Sequence, residues 1–142
     1  METARQLSIF LTNQPGTLAA VCDELAEQKI NIYALSISDT TDHSVVRMVV
    51  SDPQKALHVL GERGVLVVES NVLLIENANR PGTLAGISHA LAKAKINIEY
   101  AYLATSPTSK TGLAVFRVSD TKKAIKILTG KKAKKAKKTK EE

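Results

Sequence analysis

Two stretches of this 142-residue sequence combine residue types that can hold a small polar molecule without a buried fixed charge. Asn13-Gln14-Pro15-Gly16-Thr17-Leu18 recurs as Asn79-Arg80-Pro81-Gly82-Thr83-Leu84. A Pro-Gly turn that opens a helix leaves the first N–H groups of that helix without intrahelical acceptors. The partial positive charge there suits a carboxylate. Gly16 and Gly82 carry no Cβ and admit close approach to the main chain. Pro15 and Pro81 hold the turn rigid, which limits the entropy lost on binding. Asn13 and Asn79 donate and accept at once. The same signature also serves as a plain turn and helix start, so the residues alone leave both uses open.

Other chemistry finds little support. Asp39, Asp42 and His43 form the one dense group of metal-ligand types, and three polar residues in a hairpin turn read as solvated. His58 and His89 lie on helical patterns without a Ser or Cys nucleophile signature. Paired carboxylates, a phosphate-binding glycine loop and a nucleophile elbow are all missing. We therefore expect no enzyme activity, no catalytic residue, no metal and no cofactor.

The elements that position the two loops also come twice. Between residues 13–32 and 79–98, twelve of twenty positions are identical at an offset of 66, including Lys29-Ile30-Asn31-Ile32 and Lys95-Ile96-Asn97-Ile98. Val50-Ser51-Asp52 returns as Val118-Ser119-Asp120 at an offset of 68, which puts a two-residue insertion in the hairpin around Ser106–Gly112. This is internal duplication. Leu7–Thr12 alternates as a strand, and Leu18, Val21, Cys22 and Leu25 follow helical spacing. Ile30–Ser38 and Ser44–Ser51 are β-branched runs joined by Asp39-Thr40-Thr41-Asp42. Asp52-Pro53 starts a second helix with its stripe at Ala56, Leu57 and Leu60, Gly64 fits its C′ position, and Val65–Glu69 is a last strand.

The second copy repeats this order through a strand at Asn71–Glu76, a helix at Gly82–Ala94, strands at Ile96–Thr105 and Thr111–Val118, and a helix at Asp120–Thr129. After Gly130 comes Lys131-Lys132-Ala133, which cannot form a buried strand, so this copy lacks its own fourth strand or takes one from elsewhere. The fold class is α+β: two tandem ferredoxin-like βαββαβ modules, antiparallel sheets with the helices on one face. Their bounds are 1–70 and 71–130. Val45-Val46-Arg47-Met48-Val49-Val50 and Val72-Leu73-Leu74-Ile75 are apolar on nearly both faces, so the second face of each sheet must be covered as well. Tyr100 and Tyr102 read as packing residues.

Charge and composition narrow the partners. The net charge of +6 belongs mostly to residues 131–142, which hold seven lysines against Glu141 and Glu142. With no aromatic anchor, this tail reads as a disordered solubilising extension, and nucleic-acid binding is the lesser alternative. The single cysteine, Cys22, makes no internal disulfide and reads as a buried structural thiol. No apolar run approaches the roughly 20 residues that span a bilayer. A cytoplasmic protein without membrane contact is expected.

A strand ending in Asn-x-Pro-Gly-x-Leu, a helix, and Asn-Ile opening the next strand, within βαββαβ, resembles the ACT domain. Here the pattern covers Leu7 to about Gly130 and occurs twice in register. The resemblance implies a stand-alone tandem regulatory protein that binds a free amino acid at a module or subunit interface. A homodimer is favoured, with a biosynthetic enzyme as a possible partner, such as an acetolactate synthase-like enzyme that the chain would serve as a dissociable regulatory subunit. By analogy with serine-inhibited members, effector contacts map to Asn13, Pro15, Gly16, Thr17, Leu18, Asn31 and Ile32. In the second module they map to Asn77, Asn79, Arg80, Pro81, Gly82, Thr83, Leu84, Asn97 and Ile98. The histidine that those members carry two residues before the loop asparagine is Leu11 in one copy and Asn77 in the other, which argues against serine and favours the second module.

Overall fold

The computed structural model describes residues 1–39 and 43–130, with the side chain of Asp39 left aside. The turn expected at residues 40–42 and the lysine-rich tail at 131–142 lie outside the described residues. Two compact units divide the chain, one formed by Arg5–Ser70 and one by the stretch from Asn71 onward together with Met1–Ala4.

In the first unit, β1 (Glu2–Thr12) leads to α1 (Thr17–Glu27), β2 (Ile32–Asp39), β3 (His43–Val50), α2 (Pro53–Glu62) and the opening residues of β4 (Leu66–Ala78). β3 pairs antiparallel with both β1 and β2, in the registers Leu7↔Met48 and Ile9↔Val46 on one side and Leu35↔Met48 and Ile37↔Val46 on the other. Cross-strand partners share a face. The face of Leu7, Ile9, Val46 and Met48 is the one the helices cover, with Val21, Leu25, Ala56 and Leu60 in the same buried cluster. β2 extends past this cover, leaving Leu35 and Ile37 38% and 46% exposed.

The second unit repeats the plan with the later residues of β4, α3 (Thr83–Lys93), β5 (Ile98–Ala104), β6 (Thr111–Val118) and a helix α4 over residues 121–130. β6 lies between β4 and β5, with Leu73↔Phe116 and Ala101↔Phe116 in register. Leu73, Ile75, Leu91, Phe116, Ala124 and Leu128 form its core. In each unit the strands pair antiparallel and the helices share a buried cluster with one face of them, as expected of the ferredoxin-like modules.

Two departures have physical reasons. The strands expected at Val65–Glu69 and Asn71–Glu76 are one continuous strand, β4, because no residue around Ser70 has a turn-forming φ and the chain stays extended through the polar Glu69-Ser70-Asn71. β1 likewise starts at Glu2, five residues before the expected alternation, and its residues 2–4 fall in the second unit, the copy that the sequence leaves short of a strand. The sheet faces turned away from the helices are buried where the apolar runs require it, at Val49, Val72, Leu74 and Val115.

Candidate functional site

Both Pro-Gly loops end on a glycine at the helix N-cap with φ +87°, the left-handed region that L side chains rarely adopt. Neither helix start receives a side-chain cap. In the first turn of α1 only the Thr17 N–H finds an acceptor, the Gln14 carbonyl at 3.4 Å, and the Leu18 and Ala19 N–H groups meet none among the described residues. In α3 the Thr83 N–H reaches the Arg80 carbonyl at 3.4 Å, while Leu84 and Ala85 repeat the open pair. The other helices contrast sharply. Asp52 caps α2 through the Lys55 N–H at 3.0 Å, and Asp120 caps α4 through the Lys123 N–H at 3.0 Å. Each module therefore has one closed helix start and one open one.

The threonines shape the loops. Thr17 Oγ1 donates to the carbonyls of Thr12 at 3.0 Å and Gln14 at 3.1 Å, and Thr83 Oγ1 donates to Ala78 at 2.9 Å. Asn13, Pro15 and Gly16 are exposed, as are Arg80, Pro81 and Gly82. Leu18, Ile32 and Ile98 pack against the cores, whereas Leu84 is 43% exposed beside its loop.

The asparagines divide in an unexpected way. Asn31 exchanges hydrogen bonds with Ser51, and β3 is eight residues long, with Thr12 paired to His43 at its far end. Asn13 and Asn31 of one module thus lie at opposite ends of the sheet, about 25 Å apart at a strand rise of about 3.3 Å per residue. Asn79 and Asn97 are separated in the same way, since Ala78 pairs with Thr111 at one end of β6 and Asn97 bonds Ser119 at the other. At that separation Asn13 and Asn31, or Asn79 and Asn97, of one module do not touch the same small molecule together.

Asn77 and Asn79 are committed to protein partners. Oriented with its nitrogen toward carbonyls, Asn77 Nδ2 donates to Ile75 at 3.2 Å and to Gly112 at 3.0 Å. Asn79 Nδ2 donates to Ser106 and Ser109 carbonyls at 3.0 and 2.7 Å. Sequence reasoning missed Ser51, Ser119, Lys55 and Lys123, although the repeated Ser-Asp-x-x-Lys spacing marks them in both copies. Cys22 is free and half-buried on α1. No helix among the described residues is long and apolar enough to cross a membrane.

Solved structures share this architecture. Protein BT0572 from Bacteroides thetaiotaomicron matches with a TM-score of 0.86 at 37% identity, covering 92% of this chain and 89% of that one. The ligand-free regulatory subunit of aspartate kinase from Thermus thermophilus matches with a TM-score of 0.68 at 19% identity, covering 92% and 97%. The corresponding subunit from Thermus flavus gives 0.57 at 24% identity, covering 82% of each chain. No curated protein matches the sequence. The family model described as an ACT domain pair matches residues 2–140, and the chain belongs to that family.

Proposed function

We propose that this chain is a cytoplasmic amino-acid sensor whose open helix starts grip the ligand carboxylate and whose assembly carries the signal. The observation that carries the reading is the repeated contrast between helix starts: α2 and α4 are closed by aspartate caps, while α1 and α3 leave two N–H groups each without an acceptor among the described residues. A carboxylate satisfies such groups and meets the favourable end of the helix dipole.

The separation of Asn13 from Asn31 supports a site completed by a second copy. β2 pairs with β3 on one side, is uncharged from Ile32 to Ser38, and exposes Tyr33, Leu35 and Ile37. β5, the other edge, carries Glu99. An uncharged apolar edge is the one suited to pairing with another strand. Antiparallel pairing of β2 with its symmetry mate about Leu35 sets Tyr33 opposite Ile37. It also brings Asn31 of one copy to the Asn13 end of the other. Ligand binding then shifts the dimer equilibrium by its difference in affinity for the two states.

The test is thermal unfolding against each of the twenty amino acids. A ligand at about 100 times its Kd stabilises the folded state by about 2.7 kcal/mol. A response to one amino acid or a small class supports the sensor; an unchanged midpoint with all twenty overturns it. Co-purification of a large biosynthetic enzyme with the tagged chain would place the listener there instead.

A further inference from the structure

The hairpin between β5 and β6 is fastened to the second Pro-Gly loop by one residue. The Asn79 N–H donates to the Lys110 carbonyl at 2.9 Å, and Asn79 Nδ2 donates to the carbonyls of Ser106 at 3.0 Å and Ser109 at 2.7 Å. Within the hairpin, the Ser109 N–H reaches Ser106 Oγ at 3.1 Å, Ser109 Oγ donates to the Thr111 carbonyl at 2.8 Å, and Thr105 Oγ1 donates to the same carbonyl at 3.0 Å. Gly112 closes its base so tightly that a Cβ there would sit 3.0 Å from the Ala104 carbonyl. This hairpin is also where the second copy is two residues longer than the first.

An amide side chain has two N–H donors and one carbonyl acceptor. Asn79 has spent both donors on the hairpin, so only Oδ1 remains for anything outside the protein. That oxygen can meet an ammonium and cannot donate to a carboxylate. We propose that Asn79 is a positioning residue that latches hairpin 105–110 as a specificity-determining wall of the second module's site. This rests on the reading of the Pro-Gly loops as amino-acid sites. The ligand then lies with its carboxylate toward the Leu84 and Ala85 N–H groups and its ammonium toward Asn79 Oδ1. Its variable side chain faces the hairpin, with the hydroxyls of Ser106 and Thr108 and the amine of Lys110 in reach of the selection.

Asn79→Asp keeps the shape and replaces the two donors by an acceptor facing two carbonyls, and Asn79→Ser keeps a single donor. Both full-length variants are compared with the parent by amide hydrogen exchange and by thermal unfolding against the twenty amino acids. With two hydrogen bonds lost, exchange at Ser109 and Thr111 rises about tenfold or more in Asn79→Asp and less in Asn79→Ser, while Val115 and Phe116 keep their protection. The same variants lose about tenfold in affinity for the responding amino acid and discriminate less among the twenty. Unchanged exchange overturns the latch. Faster exchange with unchanged affinity and selectivity overturns the wall. A parent that answers to no amino acid overturns the site reading and the wall with it, whereas failure of the latch is read independently of any ligand, as exchange that is the same in Asn79→Asp as in the parent.

Discussion

Ser119 and Asn97 exchange two hydrogen bonds: Ser119 Oγ accepts from the Asn97 N–H at 3.0 Å, and the Ser119 N–H donates to the Asn97 carbonyl at 3.0 Å. Ser51 and Asn31 repeat the pair at 2.9 Å in both directions. Each closes the sheet just before a register shift, between Ile98 and Tyr100 or between Ile32 and Ala34. The serine hydroxyl takes up an N–H that the ladder cannot pair there. Ser119→Ala removes that acceptor and lowers stability by about 0.5–1.5 kcal/mol, and Ser119→Thr restores it. Urea denaturation of the three proteins checks the order; equal midpoints would show that water replaces the hydroxyl without cost.

The same repeated motif supplies a lysine to the end of the preceding helix. Lys123 Nζ donates to the Ala94 carbonyl at 3.0 Å, and Lys55 Nζ donates to the Gln28 carbonyl at 3.3 Å. A cation at a helix C-terminus satisfies an orphan carbonyl and opposes the negative end of the dipole. Lys123→Met keeps the aliphatic stem and loses the charge, so the expected cost is about 0.5 kcal/mol at low salt, shrinking as salt is added. A loss that does not change with salt would assign the effect to packing of the stem.

Both first helices end on a lysine in a conformation that favours glycine. Lys29 has φ 57° and Lys95 φ 59°, while the chain closes the helix by Ile30 N–H to the Leu25 carbonyl and Ile96 N–H to the Leu91 carbonyl, each at 2.9 Å. This is the place for a left-handed C′ residue, and a β-carbon there costs about 1 kcal/mol. Lys95→Gly raises stability by about 0.5 kcal/mol after the greater entropy of the unfolded glycine chain is subtracted. Lys95→Val, β-branched, lowers it. If both variants fall together in thermal unfolding, the lysine side chain contributes more than its backbone costs.

Much of this arrangement was readable from the residues. The Pro-Gly glycines, the Asp52-Pro53 helix start and the Gly64 stop each rest on a local backbone rule, and each stands where its rule puts it. The alternation of Leu7, Ile9 and Leu11 set the helix-facing side of β1 because period two has a single solution. What escaped is non-local. Ser70 looks like an end between two strands, yet nothing in its vicinity forces a turn, so β4 passes through. Only the fold reveals that the β5–β6 hairpin comes back to occupy the donors of Asn79. The distance between Asn13 and Asn31 depends on pairing direction, which spacing along the chain does not encode.

The exposed edge makes a sharp prediction about assembly. Leu35→Lys and Ile37→Lys each place a charge on β2 where Leu35 and Ile37 now contribute apolar surface, without touching the buried cluster. In an antiparallel pair about Leu35 the first variant sets like charges directly opposite one another. Both variants shift the chain to a monomer in sedimentation equilibrium while keeping the parent's circular dichroism, and the first does so at higher concentration. A parent that is monomeric at every concentration, or a dimer that survives both lysines, would move the assembly surface off β2.

Gly82 separates the architectural role of the loop from the binding role proposed for it. Its φ of +87° strains any L side chain, yet a Cβ at this position meets no atom within 4 Å, so the obstacle to substitution is the backbone and not crowding. Asparagine tolerates the left-handed region better than other side chains, and β-branched valine tolerates it least. Gly82→Asn therefore folds with a loss of about 1 kcal/mol, and Gly82→Val loses about 2 kcal/mol or more. Both add side-chain atoms at the start of α3, where the proposed carboxylate would approach the Leu84 and Ala85 N–H groups. The stable Gly82→Asn variant is the informative one. Its midpoint without ligand stays near that of the parent, while its response to the amino acid that stabilises the parent falls at least tenfold in the concentration required. Gly16→Asn, run in parallel, reports on the first module. If Gly82→Asn answers the ligand as the parent does and Gly16→Asn does not, the live helix start is that of α1; if both answer fully, the carboxylate is held somewhere other than these two turns.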